Sequence, residues 1–422
     1  MDEAGSAPGT FGSRGKANAR IRHDQYDSLQ NVKPHDRRRG IRANSSGFSF
    51  IVEGVIVMAD APQTVLLLQG GGALGAYQAG AFEALLQGHH APDWVAGISI
   101  GAINAAIICG NPESRRIKRL KDFWDGVSSG YASQATFETA LPRPAYTEFA
   151  AASVMAAGVP GFFAPRSIWD FWPTIGKGIS VYRTDPLRET LLELVDFDYL
   201  NDQGPRISVG AVDVETGNFT YFDSADQRIA PEHIMASGAL PPGFPPVEIN
   251  GRLYWDGGLV SNTPLQYVFE AAGDTAMTIF QVDLFSAHGA RPETLADVGQ
   301  REKDIRYSSR TRLNTDRFKA LHNIRAAADR LAARHPELAD DPDLASLRAA
   351  GPSGPIELVH LIHRKEDFET SAKDYEFSRL SMRDHWAAGR KDVKRTLRHP
   401  SWTGRTPQAD GLQIFDLTGA DT

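Results

Sequence analysis

Gly97-Ile98-Ser99-Ile100-Gly101 sets one serine between two glycines, directly after the apolar run Trp94 to Ile98. A serine hydroxyl becomes a useful nucleophile only when it stands clear of its surroundings and a base takes its proton. A strand-to-helix junction supplies the first condition, because the chain turns sharply and small neighbours leave room for the hydroxyl. With 39 glycines in the chain, a chance G-x-S-x-G is the plain alternative, so its neighbours must decide.

Two further motifs bear on that choice. Gly70-Gly71-Gly72-Ala73-Leu74-Gly75 lies between the apolar run Val65 to Leu68 and a helix-like stretch. Glycines bring backbone N–H groups close to a ligand, and an adjoining helix N-terminus favours an anion. The spacing fits a dinucleotide fingerprint, which also needs an acid about 20 residues on, after the next strand. Asp93 has about that separation but precedes Trp94 to Ile98. The other reading is an oxyanion hole, with the Gly71 and Gly72 amides facing a developing alkoxide. Asp256-Gly257-Gly258 follows Leu253-Tyr254-Trp255. Alone it reads as a turn; after the other two it is a candidate base for Ser99.

These residues need rigid elements to hold them. Val65 to Leu68 reads as a strand buried on both faces, Gly75 to Leu86 as a helix, Trp94 to Ile98 as a strand and Ile100 to Cys109 as a helix. Strands resume at Ile207 to Val212, Phe219 to Phe222 and Met277 to Val282, which predicts a layered α/β/α domain with a largely parallel sheet. Residues 130 to 180 show no clear period and are expected to form an apolar cap or loop region, with Phe162, Phe163 and Trp169 either lining an acyl pocket or simply packing. Asp213 reads as a turn acid, and Asn104 as bonding locally on its helix. Beyond residue 290, Arg301 to Arg334 and Lys373 to Arg398 read as charged helices, Glu337 to Pro355 as a linker, and Ile356 to Ile362 as a strand.

The chain has 422 residues, 41% of them hydrophobic, so one large domain with an appendage is expected. Three parts are expected: residues 1–58 a disordered tail, with Met58 an attractive start; 62–288 the catalytic domain; and 289–422 a mainly helical extension with one strand. The net charge of -7 argues against a nucleic-acid partner. The single cysteine, Cys109, excludes an intramolecular disulfide and reads as a small buried hydrophobe. Phe48 to Met58 is short for a membrane span and is broken by Glu53. The cytoplasm is therefore the expected location, with no export and at most peripheral contact with a membrane.

Taken in order, the motifs resemble the patatin-like phospholipase family, which carries a glycine-rich oxyanion loop, a G-x-S-x-G nucleophile and an Asp-Gly-Gly or Asp-Gly-Ala base. The resemblance runs from about Val65 to Phe285 and includes Gly101-Ala102-Ile103-Asn104-Ala105, Ala236-Ser237-Gly238-Ala239, Pro242-Gly243-Phe244-Pro245-Pro246 and Ser261-Asn262-Thr263-Pro264. Ser371 to Ser378 resembles an extension of a bacterial branch of the family. The resemblance implies the three-layer patatin-like fold and a serine acyl hydrolase acting on lipid or other carboxylic esters through an acyl-serine. Ser99 and Asp256 would be catalytic. Gly70, Gly71, Gly72 and Gly75 would form the oxyanion loop, supported by Gly97, Gly101, Gly257 and Gly258 in their motifs. No metal or cofactor is implied. Many members carry Arg or Lys where this chain has Leu74, so a charge that would favour phospholipid head groups is missing.

Two alternatives stand beside this. One is a Ser-Asp-His esterase drawing on His233, His288, His360, His363 or His385, all of which follow Ser99. The other is a non-catalytic lipid-binding protein on the same fold.

Overall fold

In the computed structural model the described residues are 49–52, 55–58, 61–130, 141–171, 178–308, 311–349, 354–364, 369–406 and 411–418. The expected tail over residues 1–48 and the cap segments 131–140 and 172–177 lie outside them. The chain divides into two units, Met1–Ala59 and Asp60–Thr422. In the first, β1 (Ser49–Val52) and β2 (Val55–Met58) pair as an antiparallel hairpin, where the sequence suggested no element.

The second unit opens with β3 (Gln63–Leu68), α1 (Gly75–Gln87), β4 (Trp94–Gly97), α2 (Ile100–Cys109) and α3 (Glu113–Val127). The residues from Val65 to Leu68 and from Trp94 to Gly97 are buried on both faces, as continuous apolar runs require when helices cover both sides of a parallel sheet. There follow α4 (Arg143–Ala157), β5 (Ala164–Pro165), β6 (Tyr182–Arg183), α5 (Asp185–Leu194), α6 (Phe197–Asp202), β7 (Arg206–Asp213) and β8 (Phe219–Asp223). The helix α4 corrects the expectation of an irregular cap. Its buried face is Tyr146, Thr147, Ala150, Ala151 and Val154, in which small residues dilute the large apolar stripe that periodicity detects.

Next come α7 (Pro231–Ser237), β9 (Val247–Ile249), β10 (Arg252–Asp256), α8 (Leu265–Ala271), β11 (Met277–Asp283), α9 (Leu295–Tyr307), α10 (Thr311–Arg334), α11 (Pro342–Arg348), β12 (Ile356–Ile362), α12 (Arg379–Arg398), α13 (Pro400–Thr403) and β13 (Leu412–Asp416). Nine strands form one sheet in the order β13-β12-β11-β3-β4-β7-β10-β9, with β8 also on β7. The first six of that order run parallel, while β8, β9 and β10 are antiparallel additions. The C-terminal extension holds two strands, not one, and both lengthen the central sheet.

Register around β7 is what brings distant residues together. Ser208 and Val209 pair with both β4 and β8, so those strands lie on opposite edges. Ala211 and Val212 pair with both β8 and β10. Hence β4 and β10 share one edge of β7, running toward each other. The first ends at Gly97 opposite Val209, and the second at Asp256 opposite Ala211. Residues 99 and 256 therefore meet where two strand ends face each other.

Candidate active site

Ser99 sits at φ 57°, ψ -123°, a left-handed backbone rarely taken by a residue with a Cβ, between the end of β4 and the first turn of α2. The turn is tight because its flanks carry no side chains. A Cβ on Gly97 would run into the Gly101 main chain, and one on Gly101 into the Leu68 carbonyl. The Ser99 N–H donates to Ser237 Oγ at 3.0 Å, which fixes the turn from the end of α7.

The Ser99 hydroxyl lies near enough to the Asp256 carboxylate to favour its charged form, and the Gly258 N–H donates to Asp256 Oδ1 at 2.7 Å. Asp256 is 2% exposed. Burial pushes its carboxyl up to about 7, against the two donors that favour the charged form. The ordinary value near 3.9 would make it a poor base. A value near neutrality suits a group that must take a proton at physiological pH. Gly257 is needed for packing, since a Cβ there would come within 2.6 Å of the Gly210 carbonyl.

The glycine loop lies beside the serine, and a Cβ on Gly70 would stand 3.1 Å from Ser99 Cβ. Its four glycines do different things. The Gly70 N–H donates to the Asn262 carbonyl at 3.3 Å, and Gly75 donates to Gly72 O in a short helical turn, Gly72–Leu74. A Cβ at Gly75 would lie 2.6 Å from Ile100 Cγ1, so that glycine lets α1 and α2 approach. Of the four expected oxyanion glycines, Gly70 and Gly75 have their amides taken, by Asn262 and by Gly72 respectively. Gly71 and Gly72 open the turn, where N–H groups have no partner within a helix. Gly72 takes φ +55°, and a Cβ there would strike the Asp374 carbonyl.

Ser99, Asp256, Gly71 and Gly72 line one cavity of about 180 Å³. Its apolar wall is aromatic: the Phe163 ring lies 4.8 Å from Tyr182 and 5.1 Å from Phe244, and Phe162 lies 5.8 Å from Phe377. Phe162 and Phe163 thus join the pocket, whereas Trp169 is 61% exposed. Its polar wall comes from the extension, through Lys303, Tyr307, Asp374 and Tyr375.

Other residues fall elsewhere. Asp93 accepts from the Thr64 N–H at 2.8 Å, at the opposite end of β3 and β4 from the glycine loop, which removes the dinucleotide reading. Asp213 closes the β7–β8 turn by accepting from the Glu215 and Thr216 amides. Asn104 does not bond locally: its amide donates to the Gly75 carbonyl at 3.0 Å and to Gln78 at 2.9 Å, tying α2 to α1. Cys109 is buried, and its thiol is pushed up to about 12 by desolvation.

Among the described residues no histidine lines the cavity. His233 accepts from the Ala230 N–H, and burial holds it below the usual imidazole value. His363 and His385 reach one oxygen of buried Glu369 at 2.7 and 3.0 Å, distances of hydrogen bonds. Among the described residues this is the one group with metal-ligand character, and those hydrogen bonds tie α12 to the end of β12. Asn262 is a residue to which sequence reasoning gave no role of its own. Its amide donates to the Gly70 carbonyl at 3.0 Å and to the Tyr307 carbonyl at 2.9 Å.

A strained serine at a strand–helix turn thus stands with a buried carboxylate and a glycine-rich turn in one cavity of an α/β fold. A family described as Patatin-like phospholipase matches residues 66–269, and a second, described as Patatin phospholipase, matches 305–409. No curated protein matches the chain. Among solved structures, VipD from Legionella pneumophila is 13% identical over 77% of this chain and 67% of that one, with a TM-score of 0.31. The type III effector protein ExoU is 14% identical over 79% of this chain and 52% of that one, with a TM-score of 0.28. The chain belongs to the patatin-like phospholipase family and is a hydrolase of lipid ester bonds.

Proposed function

We propose that the protein hydrolyses carboxylic esters through an acyl-Ser99 intermediate, with Asp256 as the only side-chain base. The Ser99 hydroxyl beside the buried Asp256 carboxylate, in a cavity with no histidine among its described lining residues, supports this reading. Asp256 takes the Ser99 proton as the Oγ–carbonyl bond forms. The oxyanion is received by the Gly71 and Gly72 amides and by the positive end of the turn behind them. Collapse breaks the ester C–O bond, and the proton passes from Asp256 to the departing alkoxide. A water then gives its proton to Asp256 and its oxygen to the acyl carbon, which releases the acid and restores Ser99.

A fluorophosphonate probe tests this, since it attaches only to an activated serine. The wild-type protein should be labelled at Ser99, and Ser99→Ala should not be. A wild type that stays unlabelled, in the absence of any misfolding by circular dichroism, would favour the lipid-binding alternative.

At about 180 Å³ the cavity is smaller than the roughly 300–1,000 Å³ of pockets that enclose drug-sized ligands. Short acyl chains therefore fit it best. For p-nitrophenyl esters, kcat/KM is expected to be at least about tenfold higher for butyrate or hexanoate than for palmitate. Equal or reversed values would contradict an acyl site bounded by Phe162, Phe163, Phe244 and Phe377. Contact with a membrane would be peripheral, since among the described residues no helix is long and apolar enough to cross one.

A further inference from the structure

We propose that Ser371–Phe377 is a strap that sets the shape of the oxyanion loop, with Lys303 and Asp374 as its positioning residues. This rests on the Ser–Asp reading above and gives the C-terminal extension a part in the reaction.

The strap touches the loop at its most consequential point. The Asp374 carbonyl accepts from the Ala73 N–H at 2.9 Å. The same carbonyl packs so closely on Gly72 that any side chain there would collide with it. Both contacts fall within two residues of the amides assigned to the oxyanion. Gly70, Gly71 and Gly72 have no side chains with which to anchor themselves, and glycine has the most backbone freedom to lose. The amide directions of such a loop must be held from outside, and here the holder is Asp374.

The strap is itself irregular, with turn-type bonds such as Tyr375 N to Ala372 O at 2.9 Å, so its position also needs fixing. Two reciprocal ion pairs do this from neighbouring residues of α9. Lys303 Nζ reaches Asp374 Oδ1 at 2.7 Å and the Ser371 carbonyl at 2.9 Å, while Lys373 Nζ reaches Asp304 Oδ1 at 2.9 Å. All four side chains are largely buried. Pairs of this kind contribute little net stability but hold a geometry. The end of α9 continues the brace, because the Tyr307 carbonyl accepts from both Gln69 and Asn262. Gln69 in turn accepts from the Leu284 and Phe285 amides at 2.6 and 2.9 Å.

The test measures kcat, KM and the fluorophosphonate labelling rate for Lys303→Met, Lys303→Arg and Asp374→Asn in the full chain. Arg228→Met, at an exposed pair with Asp198 and Asp202, is the control. Displacing an oxyanion donor by a fraction of an ångström should lower kcat and the labelling rate together, by about 10- to 100-fold. KM should stay within about threefold, Lys303→Arg should recover to within about threefold of wild type, and the control should not change. A folded Lys303→Met with wild-type kcat overturns the strap, as does an effect confined to KM, which would place the lysine on the substrate. Loss of folding in both Lys303→Met and Asp374→Asn also overturns it, making the pair a stability element. If the wild type itself is not labelled, the Ser–Asp reading fails and the strap falls with it.

Discussion

Asp256→Asn is expected to lower kcat/KM by about 10²–10⁴-fold, the range of a lost general base, while leaving the fold intact. Its effect on stability should have the opposite sign. The folded carboxyl titrates at about 7, well above the unfolded value near 3.9. Between those limits the folded chain keeps a proton that the unfolded chain gives up, so stability falls as pH rises from about 4 to 7. Removing the charge removes that loss, and Tm at pH 8 should rise in the variant. A fall in Tm together with retained activity would show that the carboxylate is structural. The same value shapes the rate: wild-type kcat/KM should fall about tenfold per unit below pH 7 and level off above it. A limb near pH 4 would mean that Asp256 is not the base.

Ser99→Ala should cost still more, about 10⁴-fold or greater in kcat/KM, because it removes the oxygen proposed to carry the acyl group. Alanine keeps the Cβ that the elbow already accommodates at φ 57°, so Tm should move by only a few degrees. The variant loses the hydroxyl that favours the charged carboxylate, and Asp256 should then titrate higher than in the wild type. Residual activity above about one per cent of wild type would point to a nucleophile other than Ser99.

What can be read in the sequence follows how local each feature is. The central strands show as unbroken apolar runs, and the three motifs of the proposed site are short contiguous strings at strand ends. Helix α4 is hard to read, because alanines and a threonine stand among Tyr146 and Val154 on its buried face and blur the periodic stripe. The pairing of Asp256 with Ser99 depends on two strands meeting on one edge of β7, a matter of register between segments about 150 residues apart, and only the family resemblance links them. The extension is the least legible. Asp374 acts on Gly72 through its backbone carbonyl, a group every residue has, so no side-chain pattern marks it. Lys303 reads as one charge among many on a helix until the fold sets it beside Asp374. The raised titration of Asp256 likewise comes from complete burial, which an Asp-Gly-Gly turn does not suggest.

The most direct measurement is the mass of the protein itself during turnover. The enzyme is mixed with excess p-nitrophenyl hexanoate, quenched in acid within the first turnovers, digested and examined by mass spectrometry. The peptide containing Ser99 should carry one hexanoyl group on that serine, formed faster than it is lost and absent in Ser99→Ala. Steady hydrolysis with no acyl group on Ser99 at any quench time, or with the acyl group on another residue, would contradict the account.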